Sequence, residues 1–259
     1  MVKYVTRKNA HASARAKNFG ELTLRKKVLK DLPGLIDRIR AWLYPDRCRL
    51  CGKVVKYKVE VCASCEKEAK AIRGERCLYC GDTKKDCKCR KKSMYYNGIA
   101  AAYKYEGVVR TGIRLWKFKG AERHVHFFAG KIVDAIMESF GDMKFDVITF
   151  VPQTQKESAD RMYNQGEQLA TAVGEKMNIP VMPLLVKIYE TERQHDLYDY
   201  EKSGNVFGVF ECCNKTMIKG GNILLVDDIK TSGHTINECA KMLHLYDAEC
   251  VYCAVIAVT

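Results

Sequence analysis

Eight cysteines fall in four pairs between Cys48 and Cys89, and no other feature so narrows what the N-terminal third of the chain can fold into. The pairs are Cys48-x-x-Cys51, Cys62-x-x-Cys65, Cys77-x-x-Cys80 and Cys87-x-Cys89. Two thiolates a few residues apart on a tight turn hold one side of a tetrahedral zinc ion, and a second pair closes the shell. Gly52 and Gly81 each directly follow a pair, as a zinc knuckle requires. The stretch is too polar to build a core, so metal binding has to supply its folding free energy. Four thiolates leave no open coordination position, which makes such zinc structural. The spacing allows one ion or two. Sequential sharing puts Cys48, Cys51, Cys62 and Cys65 on one ion and Cys77, Cys80, Cys87 and Cys89 on the other; a cross-braced arrangement is the rival, and an iron–sulfur cluster is a rival occupant. Cys212, Cys213, Cys239, Cys250 and Cys253 complete no ligand pattern and read as buried thiols.

Charge divides the chain as sharply as the cysteines do. Of 259 residues with a net charge of +13, residues 1–92 carry 26 Lys+Arg against 10 Asp+Glu, and residues 93–259 carry 18 against 21. One third of the chain therefore holds the whole excess, which marks a boundary and points to a polyanion partner. Thiolates bound to zinc offset part of the charge of the cysteine module, so much of the usable positive charge lies in the segment ahead of it. The expected organisation is a basic flexible extension over 1–31, a helix over Leu32–Tyr44 with the zinc module to residue 92, and a larger domain over 93–259. Tyr44, Tyr57, Tyr79, Tyr95 and Tyr96 are spaced through the basic region, where they can stack on bases or fill a small core. No apolar run approaches the roughly 18 residues of a membrane span, and no charged segment leads into an apolar leader. Membrane insertion is not expected, and thirteen cysteines without a leader point to reduced thiols in the cytoplasm.

From Met94 onward, strand-like and helix-like segments alternate. Strands are expected at Gly98–Tyr105, Asp146–Val151, Val181–Ile188, Val206–Phe210, Asn222–Val226 and Cys250–Val258. Helices are expected at Val108–Phe118, Val125–Phe140, Tyr163–Met177 and Thr235–Tyr246, with His124 and His126 on a helix surface. That alternation implies an α/β fold with an open, mostly parallel sheet and helices on both faces. One segment carries chemistry: Ile223-Leu-Leu-Val-Asp-Asp-Ile-Lys-Thr-Ser-Gly-His-Thr235. A buried strand leads through two acidic residues into a small-residue turn and then a helix. Backbone N–H groups of Thr231, Ser232, Gly233, His234 and Thr235, with the positive end of the helix, can cradle a monophosphate. Asp227 and Asp228 are placed to take ribose hydroxyls or to order Mg²⁺ waters. There is no G-x-x-x-x-G-K-[ST], so this is not a Walker loop.

This segment resembles the 5-phosphoribosyl-1-pyrophosphate (PRPP) signature of type I phosphoribosyltransferases. Residues 36–259 are similar to the ComF family (ComFC or GntX type), known from natural competence. The resemblance runs through Leu43, Tyr44, Pro45 and Cys48, then Lys117-Phe-Lys-Gly120, Val151-Pro152, Lys156 and Arg161-Met-Tyr-Asn-Gln165. It continues through Thr191, Gln194, Leu197, Asn205 and Phe210. Met162, Tyr189 and Lys202 depart from the family pattern. The resemblance implies a Rossmann-like type I phosphoribosyltransferase fold preceded by a small double zinc-ribbon-like module. It implies PRPP at the C-terminal strand ends with Asp227 and Asp228 under the ribose, and Mg²⁺ bound with PRPP. Pro152, Lys156 and Arg161 would lie on the pyrophosphate side, although Arg161, Asn164 and Gln165 also read as helix-start residues. Glu190–Gly204 would form a lid, with Gln194 and Lys202 as its contacts and His195 as a bystander. The expected function is a PRPP-binding protein that supports single-stranded DNA uptake or processing, with a competence helicase or other DNA-processing partner. The alternative is an active Mg-dependent phosphoribosyltransferase acting on a base or amine; no catalytic residue is assigned.

Overall fold

The computed structural model describes residues 45–89, 94–119, 122–153, 164–188 and 209–259. The extension over 1–31, the helix over Leu32–Tyr44 and the lid over Glu190–Gly204 lie outside the described residues. The chain forms two compact units, residues 1–47 with 54–60 and residues 48–53 with 61–259. Described residues of the first form a short antiparallel bridge between Arg47 and Val54. There Val55 N–H donates to the Asp46 carbonyl at 2.9 Å, and Lys58 N–H donates to Asp46 Oδ2 at 2.9 Å. All that follows concerns the second unit.

Its centre is a four-stranded parallel sheet in the order β1-β6-β5-β2. The strands are β1 (Gly98–Lys104), β2 (Val147–Phe150), β5 (Asn222–Lys230) and β6 (Cys250–Val258). The runs NILLV and CVYCAVIAV read as near-continuous apolar stretches because both faces of a parallel sheet are covered. On one face, α5 (His234–Leu245) sets Ile236, Cys239, Ala240 and Leu243 against Ile223, Leu225, Val251, Cys253 and Val255. Alternate residues of the same strands point the other way. That second face carries α3 (Glu122–Phe140) and α4 (Gln165–Met177), which pack on β1, β6, β5 and β2 and on each other. The remaining helices are α1 (Ala63–Glu68) and α2 (Gly107–Lys119).

The strand expected over Val181–Ile188 is divided. Val181 makes one parallel bridge to Ile148, and β3 begins only at Leu185 (Leu185–Lys187). Pro183 sits between them with no N–H to donate to a ladder. Its partner β4 is Phe210–Cys212, later than the expected 206–210, and pairs antiparallel with β3 in a separate two-stranded sheet. Residues 206–208 lie outside the described residues. His124, expected on a helix surface, is buried on α3, whereas His126 is exposed. Among the unpaired cysteines, Cys212, Cys239 and Cys253 are buried as expected, but Cys213 is exposed, with its thiol 3.0 Å from the Pro183 carbonyl.

The cysteine loops are built into this sheet. Ala71 bridges Tyr103, Ile72 N–H donates to the Ala102 carbonyl and Lys104 N–H to the Lys70 carbonyl, each at 2.9 Å. The free edge of β1, a ready template for wrong pairing, is thereby closed. Arg76 is buried, donates to the carbonyls of Ile72 and Ala101, and forms an ion pair with Glu138 of α3. Gly81 lies flat on the sheet: a Cβ there would meet Ala101, Val258 and Ile99 at 3.2–3.4 Å. The first loop packs on α2, where a Cβ on Gly112 would lie 2.7 Å from the Arg49 carbonyl and 2.9 Å from Leu50 Cα. Those neighbours are backbone and cannot rotate away. Gly112→Ala is therefore expected to destabilise the protein by about 1–3 kcal/mol, read as a fall in Tm, whereas Gly130→Ala on α3, with only Lys176 Cε at 3.9 Å, should be tolerated.

Candidate functional site

Two kinds of site are present, a pair of thiolate clusters and a phosphate-sized turn. The sulfurs of Cys48, Cys51, Cys62 and Cys65 lie within 4.8 Å of one another, as do those of Cys77, Cys80, Cys87 and Cys89. The sharing is sequential, and the cross-braced alternative is not the one adopted. Both first loops have the same build. Cys48 N–H donates to the Lys53 carbonyl and Gly52 N–H to the Cys48 carbonyl; Cys77 N–H donates to the Asp82 carbonyl and Gly81 N–H to the Cys77 carbonyl. Gly52 (φ 76°) and Gly81 (φ 81°) take the left-handed conformation that closes each knuckle. The Ser64 hydroxyl and the Cys65 backbone hold the Cys62 thiol down to about 6, in the thiolate form that a metal needs. Four sulfurs around one point with no other donor fit structural zinc.

The turn follows β5. Asp227 and Asp228 are the sixth and seventh residues of that strand, so they sit on sheet, held by the ladder to β6, rather than in a loop. Thr231, Ser232, His234 and Thr235 are exposed. Gly233, with φ 83°, is the N-cap of α5, and no side chain caps the helix. His234 N–H donates at 3.5 Å to the Ser232 hydroxyl, and the N-terminal end of α5 opens on a turn of small residues, the arrangement that accepts an anion. The acidic pair is compact: Asp228 N–H donates to Asp227 Oδ1 at 2.8 Å. Burial, and then the neighbouring Asp228 charge, push the Asp227 carboxyl up to about 8.

Lys117, to which the sequence pattern assigns no role, and Gln165, read there as a helix-start residue, complete the site. Lys117, near the end of α2, forms an ion pair with Asp228 Oδ2. Gln165, fully buried at the start of α4, donates from Nε2 to the Lys117 carbonyl at 3.1 Å. Lys117 and Gln165 belong to separate motifs, and their meeting at Asp228 is visible only in three dimensions. Asn164 is the N-cap of α4, its side chain accepting from Glu167 N–H. Pro152 follows β2 and is buried. Lys156, Arg161, Gln194, His195 and Lys202 lie outside the described residues. Of the tyrosines, Tyr57, Tyr79 and Tyr95 are exposed and Tyr96 is buried; Tyr44 lies outside the described residues.

The family model "Double zinc ribbon domain" matches residues 39–94, and "Phosphoribosyl transferase domain" matches residues 164–258. With the parallel sheet and its helices, this defines a phosphoribosyltransferase fold carrying a zinc module at its N-terminal end. The competence protein ComFC of Bacillus subtilis is 24% identical over 200 residues, covering 73% of this chain and 80% of that protein. ComFC of Streptococcus pneumoniae is 26% identical over 215 residues, covering 76% and 93%. The DNA utilization protein YhgH of Salmonella typhi is 22% identical over 200 residues, covering 76% and 83%. Together the two domain matches and these relatives support a ComF-type phosphoribosyltransferase with a zinc module.

Two measurements probe these sites. Metal analysis of purified protein is expected to find two zinc ions per chain and one after Cys62→Ser with Cys65→Ser. The second concerns Asp227. In the unfolded chain this carboxyl ionises near its ordinary 3.8, in the folded chain near 8. Between those values the folded state holds the extra proton, so stability falls as pH rises through about 8. Asp227→Asn keeps the neutral form, and at pH above 8 its Tm is expected to exceed that of the parent by on the order of 5 °C. The difference should vanish in acid; an equal gain at every pH would refute the assignment.

Proposed function

We propose that the chain binds PRPP with Mg²⁺ at Asp227–Thr235 and acts in the handling of single-stranded DNA during natural competence. The observation that carries this reading is the uncapped turn at the N-terminus of α5, set directly after a paired carboxylate on β5. The backbone of Thr231, Ser232, Gly233, His234 and Thr235 takes the 5-phosphate, and Asp227 and Asp228 take the ribose hydroxyls. Pro152, Lys156 and Arg161 serve the pyrophosphate side, and Gln194 and Lys202 belong to the closing lid. Magnesium neutralises pyrophosphate charge when bound. The Lys117 ammonium, which meets Asp228 in the free protein, gives way as that carboxylate turns to ligand. The basic extension over 1–31 contacts DNA phosphates ahead of the zinc module of 32–92 and the domain of 93–259. A competence helicase or other DNA-processing protein is the partner, and the cytoplasm is the compartment. The Asp227 carboxyl, poised at about 8, favours a second reading, Mg-dependent transfer of the phosphoribosyl group to a base or amine.

Calorimetry with PRPP, with and without Mg²⁺, tests the site. Micromolar binding is expected, lost in Asp227→Ala/Asp228→Ala. Asp227 must ionise to accept ribose hydroxyls, so binding releases a proton and affinity rises as pH passes through about 8. Absence of binding at high PRPP would overturn the reading. For DNA, fluorescence anisotropy with a labelled single strand is expected to show affinity falling at least roughly tenfold when salt is raised fourfold. That affinity should drop on deleting residues 1–31. The longer deletion of 1–92 is unsuitable, because Ala71, Ile72 and Arg76 close the edge of β1.

A further inference from the structure

The second cysteine loop and the phosphate turn enclose a groove of about 830 Å³, lined among others by Tyr79, Lys85, Lys88, Met94, Lys230 and Ser232. That size lies within the ordinary range of ligand pockets. Cys80, Cys87 and Cys89 of the second zinc cluster and Ser232 of the phosphate turn stand on its wall, so it lies between the two sites already described. Lys230 is the telling residue. It ends β5, is 7% exposed and lines the groove. Its carbonyl accepts from Thr259 N–H at 3.2 Å, but among the described residues its side chain has no hydrogen-bond or ion-pair partner, whereas buried lysines are almost always paired. Its stem fills the space that a Cβ on Gly233 would need, with Cε at 2.9 Å and Nζ at 3.5 Å from that position. Glycine at 233 therefore lets the ammonium lie beneath the turn. Lys104, which also lines the groove, is already committed, with Nζ 2.7 Å from Asp86 Oδ2 and 3.4 Å from Asp82 Oδ1. Those two acids are thus spent on Lys104, and among the described residues the Lys230 side chain has no ion-pair partner at the groove.

The geometry points to a nucleotide-binding groove, with a phosphate on Lys230 beside the Ser232 hydroxyl and a base against Tyr79. Tyr79 is 56% exposed on the groove wall, and an exposed ring gives a base a stacking surface. Exposed Lys85 and Lys88 lie along the same wall and favour further negative charge. The nucleotide is either free or one unit of a single strand; both present the same phosphate and ring. The groove adjoins the phosphate cradle of α5 and meets it at Ser232, but its anion site is Lys230 rather than the N–H groups of the turn.

The test uses the zinc-loaded full chain with two probes, thymidine 5′-monophosphate by calorimetry and a short labelled oligothymidylate by anisotropy. At least one probe is expected to bind. Lys230→Met should weaken that binding roughly tenfold, the loss of one charged hydrogen bond, and Lys230→Arg should retain most of it. PRPP affinity, measured on the same samples, should change less than about twofold. Binding of the monophosphate identifies a free nucleotide, and binding of the oligonucleotide alone identifies a strand. Failure of both probes, or indifference to Lys230→Met, overturns the proposal. So does a parallel loss of PRPP affinity, which would make Lys230 part of the phosphate cradle. If Lys230→Met loses zinc or fails to fold, the exposed variants Tyr79→Ala and Lys85→Glu/Lys88→Glu decide, each expected to weaken the bound probe. A chain that binds a probe through Lys230 and no PRPP would sink the proposed function while leaving the groove assignment standing.

Discussion

The closure of β1 by the cysteine loops is the contact on which the rest of this unit depends. A parallel sheet of four strands has two edges, and an exposed edge of apolar residues invites pairing with other chains. Here residues 70–72 hydrogen-bond along β1, and Ile72 and Tyr96 join the same core as Ile223, Leu225 and Val255. Arg76 secures the join by donating to Ile72 and Ala101 carbonyls while pairing with Glu138. A buried guanidinium with this many partners fixes one geometry rather than adding much net stability. Zinc is therefore more than the glue of a small appendage. By holding the knuckle that carries Gly81 onto Ala101 and Val258, it sets the wall beside the C-terminal ends of β5 and β6.

Those strand ends are where an open α/β sheet binds ligands, because helix N-termini and loops converge there. The site is assembled from three elements that share no local contact in sequence. Strand β5 supplies Asp227 and Asp228, α2 supplies Lys117, and α4 supplies Gln165, which pins the Lys117 carbonyl. Two carboxylates side by side in a desolvated position repel one another. The protein relieves this by protonating one, Asp227, and pairing the other, Asp228, with Lys117. The same arrangement makes the pair responsive to any ligand that brings positive charge or hydroxyl donors. At the end of the same strand Lys230 is buried, and among the described residues its side chain has no ion-pair partner.

Much of this was legible in the residues. The knuckle glycines, the cysteine spacing, the C-terminal limit of α3, both limits of β6 and the strand–acid–turn–helix segment all follow from local chemistry. They were readable because each depends on neighbours within a few positions. The misreadings have one cause, which is dependence on distant partners. The segment Val181–Ile188 looked like one strand, yet Pro183 and the antiparallel pairing of β3 with β4 divide it. His124 sits on a helix whose inward face is decided by the sheet, and it is buried there. Lys117 carried a family pattern but no role, and Gln165 read only as a helix start, since neither lies near its partner in sequence.

The sequence by itself determined the four metal-binding thiol pairs, the alternation of strands and helices, and a turn able to cradle a phosphate; which pairs share an ion was decided in three dimensions. Backbone conformation and ligand spacing are local properties, fixed by glycine at φ 76° and 81° and by thiols three residues apart. Only the tertiary structure decided that the second knuckle leans on β1 and β6, that Lys117 meets Asp228, and that Lys230, with no ion-pair partner among the described residues, is buried beside a groove. Charge partners and cavities arise where the chain returns to itself across many residues, and desolvation, which gives those charges their weight, exists only once the core has formed.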